Sequence, residues 1–392
     1  MAIHSYKKDN LDKQKILFIT HASSNLNYGA ARSLGMLLRE ISYPFDIMFP
    51  IIPFNRNFIK RSNLKEYCGN SVYHIYFNLF LPFNYSAIYG EKYHSSSKQT
   101  NLLKECIKEC AYALSKLCLK IVLRIGKYKF IHLNSLGYCD LIDKKQNYVI
   151  HVREVFRGSE SEFENVSKHL SLAKLVIFID NSTYLPFKEI ALNSIILENP
   201  FDMRHVEEIN SEDVFSKYNI DHNKIIISIL GVIDSIKGVD FVINAYNQAN
   251  NDEIILFIVG RFEHKSYYKE CINIAKNNSN IIFTGDLENP SEIFKISDYI
   301  IRGEDKFCLG RTVNEGLYAG CHVIIPYSPN SEVNLDIIDK KYHDNIQLYV
   351  ARDINSLVSI LNKCKKLNPN SREYASNLEE YVDKFKAATE LM

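Results

Sequence analysis

Residues 302–327 carry the densest set of groups able to do chemistry in this chain, R-G-E-D-K-F-C-L-G-R-T-V-N-E-G-L-Y-A-G-C-H-V-I-I-P-Y. Thr312 and Glu315 have the spacing of a capping box, so a helix is expected to begin near Thr312. Gly320 would end it, and His322 to Pro326 would begin an apolar strand. A loop feeding a helix N-terminus holds anionic or hydroxylated ligands, because unpaired backbone N–H groups point outward there. Gly310 and Arg311 lie in that loop. Glu315 is equally compatible with capping its own helix and nothing more.

The elements that would position these groups alternate. Apolar runs at residues 16–20, 45–49, 130–133, 148–152 and 175–179 read as strands, with helical patterns between several of them. Glu198-Asn199-Pro200-Phe201-Asp202 interrupts the pattern, and the boundary between two domains is placed there. The alternation resumes with strands at 225–230, 254–259, 281–284, 299–301, 323–325 and 347–350. Alternating strands and helices imply parallel sheets covered on both faces. The expected fold class is α/β: an N-terminal Rossmann-like domain over 1–200 and a C-terminal one over 201–370, facing each other across a cleft. A polar helix over 371–392 is expected to pack back on the first domain. Ligands of open α/β sheets sit beyond the carboxyl ends of the strands.

The 392 residues suit two such domains, and 46% hydrophobic residues suffice for globular cores. The net charge of +1 gives no global field for nucleic acid, which is not expected as a partner. The N-terminus lacks the apolar core of a signal peptide, and no apolar run is long enough to span a membrane. Nine cysteines without a C-x-x-C pair fit a reducing cytoplasm, with Cys106, Cys110 and Cys118 expected as buried thiols rather than a metal site. Two stretches stand apart. Residues 73–93 are rich in aromatics, and 97–127 read as one long helix with Lys108, Lys116, Lys120, Arg124 and Lys127 beside Leu114, Leu117, Ile121, Val122 and Ile125. Such a helix can lie on an anionic membrane surface, and the same pattern fits a core helix with a solvated outer face.

Three segments in order resemble GT-B glycosyltransferases of family 4, the glycogen-synthase-like group. They are K-I-L-F-I-T-H-A-S-S-N-L-N-Y-G-A-A-R-S-L at 15–34, I-S-I-L-G-V-I-D-S-I-K-G-V-D-F-V-I-N-A at 227–245, and the 302–327 stretch. The resemblance implies transfer of a hexose or deoxyhexose from a nucleoside-diphosphate sugar to a glycan or lipid-linked acceptor. It further implies retention of configuration, no metal or other cofactor, and a place in capsule, O-antigen or exopolysaccharide assembly. That chemistry puts negative charge on the leaving diphosphate, so fixed cations or N–H groups must face it.

Residue by residue, the resemblance puts Lys237 and Gly29 at the donor phosphate and His151, in H-V-R-E with Arg153, near the donor sugar. Gly310, Arg311 and Thr312 would lie at the diphosphate and Glu315 on the ribose diol. The family's Arg after the strand glycine is here Val232, and Arg302 or Arg311 would replace it. The family's first signature Glu is here Phe307, which cannot accept a sugar hydroxyl. Glu304 or Asp305 could reach the same place, or the donor could be a deoxy sugar. The protein could instead be a non-catalytic partner subunit, and an epimerase on a related frame is a further alternative. Peripheral contact with the inner face of a membrane is consistent with the basic helix.

Overall fold

The structure, a computed structural model, describes residues 15–20, 29–50, 61–78, 83–90 and 102–390, apart from 263, 277, 308, 330–332, 334, 336 and 337. The loop before Gly29, and Phe80 and Tyr93 of the aromatic stretch, lie outside the described residues. The chain divides into two compact units, Met1–Pro200 with Leu378–Met392, and Phe201–Asn377.

In the first unit seven parallel strands run β1 (Ile16–Ile19), β2 (Phe45–Pro50), β3 (Val72–Asn78), β4 (Phe130–Leu133), β5 (Tyr148–Val152), β6 (Leu175–Phe178) and β7 (Ser194–Ile196). Their spatial order is β3-β2-β1-β4-β5-β6-β7. The second unit holds β8 (Ile225–Leu230), β9 (Ile254–Val259), β10 (Ile281–Gly285), β11 (Tyr299–Ile301), β12 (His322–Tyr327) and β13 (Ile346–Val350). These lie in the order β10-β9-β8-β11-β12-β13. Both sheets thus contain the doubly wound 3-2-1-4-5-6 order, and each reverses direction once, between β1 and β4 and between β8 and β11. Crevices for ligands form at such reversals, beyond the strands' carboxyl ends.

The strands form because they are buried on both faces. All six residues of I-I-I-S-I-L in β8 and of I-I-L-F-I-V in β9 are buried, as parallel sheets under two helical layers require. Asp298, at the amino end of β11, is wholly buried and anchors the end of the second unit. It accepts from the Ile226 and Leu367 N–H groups at 2.7 and 3.1 Å and pairs with Lys366 and Arg372 at 3.1 and 3.2 Å.

The C-terminal helix begins at Leu378, not near Ser371; residues 371–377 stay with the second unit. Leu378, Tyr381, Val382 and Phe385 bury its apolar face against Ile16, Phe18 and Phe45 of the first unit. Part of the aromatic stretch is β3, at one edge of the sheet, rather than a break in the alternation. Cys110 and Cys118 are exposed rather than buried, since they sit on the outward side of helix Leu102–Gly126.

Two buried histidines, His132 and His151, make the first unit acid-sensitive. His132 in β4 is fully buried between Phe18 and Phe385, and its ring nitrogens have no partner beyond its own backbone. Burial, aided by the charge of Arg153, lowers its pKa from 6.5 to about 3. The unfolded chain therefore binds a proton below pH 6.5 that the folded chain refuses until about pH 3. Stability from this residue is complete above pH 6.5 and declines as the pH falls toward 3. Between pH 7.5 and 5 the loss is about 2 kcal/mol. Urea unfolding of His132→Leu should show a pH slope shallower by that amount; an unchanged slope would contradict neutral burial.

Candidate active site

The second unit's reversal point assembles a compact ionic cluster. After β8 the chain passes Gly231 and makes a tight turn, Ser235–Lys237, capped by Asp234, whose carboxylate accepts from the Lys237 N–H at 2.9 Å. Gly238 then takes the left-handed conformation at φ 61°. Here glycine is obligatory for a second reason: a Cβ on Gly238 would overlap the carbonyl oxygen of Gly303. A Cβ on Gly303 would in turn press within 2.8 Å of the Lys237 carbonyl oxygen. Two glycines thus let the segment after β8 and the segment after β11 touch backbone to backbone.

That contact sets Lys237 beside Glu304, with Nζ 3.3 Å from Oε1. Arg302 holds the same carboxylate with two donors, Nε to Oε2 at 3.0 Å and the Nη2 group to Oε1. Its Nη1 donates to Thr312 Oγ1 at 2.7 Å, and Tyr349 O–H donates to the Arg302 carbonyl at 2.6 Å. Burial pushes the Glu304 pKa up, but Arg302 and Lys237 outweigh it, so the carboxyl lies below its ordinary value and is ionised at neutral pH. Both cations hold this one carboxylate, and Lys237 is the more exposed of the two.

Helix Arg311–Tyr318 opens beside this cluster. Its N-cap is Gly310, not Thr312, and no side chain caps it. The capping box does not form because Thr312 lies inside the helix, one residue past its start, where its hydroxyl accepts from Arg302. A Cβ on Gly310 would lie 2.8 Å from Arg302 Nη1, so glycine admits the guanidinium at the helix start. Glu315 is buried and bonded to Arg311, Nε to Oε1 at 2.8 Å, while the Arg311 guanidinium lies 4.9 Å from the Phe201 ring centre. Arg302, rather than Arg311, is therefore the cation that shares a partner with Lys237. Phe307 is half-buried and packs against the unit's core, and Asp305 is exposed on the loop.

The remaining residues lie in the first unit. Gly29 is exposed at the start of helix Gly29–Glu40. His151 lies within β5, fully buried and paired in register with Ile177. Burial, then the neighbouring Arg153 and His132, lowers its pKa well below the ordinary value. Its Nδ1 stands 3.2 Å from Arg153 Nη2. Arg153 is also buried and donates to Asn134 and Asn199 at 2.7 Å each. Asn134, just past β4, donates to Thr20 Oγ1 at 3.3 Å and to the Ala30 carbonyl at 3.1 Å, joining the ends of β1 and β4.

Sequence reasoning missed Asp234, Asn134 and Asn199. Asp234 had a local signal, an Asp three residues before Lys237. The two asparagines had none, since their partners are distant in sequence.

The sequence matches the family model "Glycosyl transferases group 1" over residues 210–381. No curated protein matches it. Three solved structures share the fold at low identity. Anabaena HepE in complex with UDP and glucose has a TM-score of 0.70 at 15% identity, covering 97% of this chain and 100% of that one. A glycosyltransferase from Rickettsia africae gives 0.64 at 15% identity, covering 97% and 93%. Sucrose-phosphate synthase from Thermosynechococcus elongatus gives 0.62 at 15% identity, covering 97% of both chains. Over residues 210–381 the chain is thus similar to the group 1 glycosyl transferases, and it shares the two-domain GT-B fold of its solved neighbours.

Proposed function

We propose that this protein transfers a hexose or deoxyhexose from a nucleoside-diphosphate sugar to a glycan or lipid-linked acceptor, with retention of configuration and without a metal or other cofactor. The observation that carries the reading is the Lys237–Glu304–Arg302–Thr312 cluster at the carboxyl ends of β8 and β11. Lys237 and Arg302 supply the positive charge a leaving diphosphate needs as it gains charge in the transition state. The opening of helix Arg311–Tyr318, with Gly310 and Thr312, adds N–H donors beside them. Glu304 is already ionised and oriented, so its remaining acceptor capacity suits a sugar hydroxyl. Asp305 is the more accessible alternative.

For His151 and Arg153 the reading is positional, since their rings and donors are buried in first-unit contacts. The Asn134–Arg153 network would hold Gly29 and its helix at the end of β1 for the donor phosphate or the acceptor. The aromatic residues near β3 are candidates for the acceptor sugar, by stacking. Assembly of capsule, O-antigen or exopolysaccharide is the proposed setting. Anabaena HepE was solved with UDP-glucose, which makes a uridine diphosphate sugar the first donor to try.

A thermal-shift panel of UDP-, GDP-, dTDP- and CMP-sugars tests the reading. One nucleotide class should raise the melting point, by the equivalent of about 2.7 kcal/mol at a hundredfold excess over Kd. A flat panel would remove the proposal. A shift without transfer to any acceptor would favour the partner-subunit reading, for which Phe307 is the motive. Within the responding class, Glu315→Ala should weaken nucleotide binding about tenfold to a hundredfold, the worth of hydrogen bonds to a charged group. Equal affinity by calorimetry would show that Glu315 serves only Arg311.

A further inference from the structure

For helix Leu102–Gly126 the sequence left two expectations, a helix on an anionic membrane surface and a core helix with a solvated outer face, and its exposed apolar row departs from the second. Its inward side is short: Ser115 and Leu119 are buried, and Val122 and Leu123 pack against the first unit's core. Asn78 fixes this side by donating to the Ser115 carbonyl at 3.0 Å. The apolar residues expected in the core instead face outward. Leu114, Leu117, Ile121 and Ile125 are 53%, 55%, 48% and 73% exposed. Their spacing of three and four residues puts them in one stripe along the helix. Lys116, Lys120 and Arg124 are exposed and fall in the neighbouring stripe, and Lys127 follows just past the helix end. No acidic residue occurs from Ala113 to Lys127.

We propose that this outer face docks the protein on an anionic lipid surface. Water does not favour four large aliphatic side chains in one contiguous row, and such a row marks an interaction surface. The flanking charge selects the partner. A second copy of this chain would bring its own lysines and arginine against these, whereas a bilayer carrying acidic headgroups neutralises them. The geometry matches a helix lying in the interface plane, with aliphatic groups in the acyl boundary and long basic side chains reaching the headgroups. No helix among the described residues is long and apolar enough to cross a membrane, so the contact is one of docking and not of insertion across the bilayer. The proposal stands on this helix alone and is independent of which sugar is transferred.

The test is co-flotation of the full chain with vesicles of phosphatidylcholine, with and without phosphatidylglycerol. Binding is expected only to the mixed vesicles and should weaken as salt rises. Replacing Lys116, Lys120 and Arg124 together with glutamine should lower the partition coefficient about a hundredfold, at about fivefold per charge. Leu117→Asp with Ile121→Asp should abolish flotation while preserving the melting point and any donor-induced shift, because both sites are exposed. Three results would overturn the proposal: equal binding to pure phosphatidylcholine, no binding to either vesicle, or a self-associated wild type that the aspartate pair turns monomeric.

Discussion

On the proposed reaction, replacing Lys237 with alanine should lower kcat about 10²- to 10³-fold, the usual cost of removing one preorganised group that faces developing charge. The thermal midpoint should move little. Lys237 Nζ is one of several groups on Glu304, and Arg302 keeps both carboxylate oxygens after the change. The lost ion pair is worth about 1 kcal/mol, or roughly 2–4 °C for a domain of this size. Lys237→Arg should recover part of the rate, because a cation remains near the same place. The pattern to measure is a fall in kcat larger than the rise in KM, since charge on the diphosphate grows only as the bond breaks. If Lys237→Ala instead collapsed the melt, Lys237 would be a structural partner of Glu304 and its place at the diphosphate would be lost.

The same cluster shows what a sequence can and cannot disclose. Strands β8 and β9 were legible because burial on both faces demands uninterrupted apolar runs, and I-I-I-S-I-L and I-I-L-F-I-V supply them. Strands β3 and β7 were not, because each lies at an edge of its sheet. An edge strand needs no continuous apolar run: V-Y-H-I-Y-F-N is mostly half-exposed, and β7 has only three residues. At the candidate site, Lys237 was singled out by its place after a strand and Glu315 by its place in a helix. The partner of Lys237 was hidden, whereas Glu315 pairs with Arg311 only four residues away. The Lys237–Glu304 pair spans 67 positions and depends on a backbone contact that no local pattern encodes. Thr312 was misassigned for a different reason: its spacing to Glu315 suits a capping box, but the helix starts one residue earlier with Gly310 as N-cap, and the Thr312 hydroxyl serves Arg302. Along helix Leu102–Gly126 the apolar spacing was visible, yet periodicity alone does not say whether an apolar stripe faces the core or the solvent.

Gly238→Ala will have the largest combined effect on fold and site. Alanine at φ 61° costs about 1–2 kcal/mol from its left-handed backbone alone. Its Cβ also collides with the Gly303 carbonyl, and backbone yields less readily than a side chain, so overpacking adds about 1–3 kcal/mol. Gly285 at the end of β10 provides the control. It too is left-handed, at φ 69°, but a Cβ there meets nothing within 4 Å. Gly285→Ala should therefore lose only the backbone share, and the difference between the two variants isolates the close approach. Separating the Gly238 and Gly303 backbones also draws Lys237 from Glu304, so Gly238→Ala should lose donor-induced thermal stabilisation even where it remains folded. Urea unfolding of both variants, followed by the donor shift at a temperature where each is native, distinguishes the cases. Equal destabilisation, with donor binding intact in Gly238→Ala, would mean that the glycine pair does not build the site.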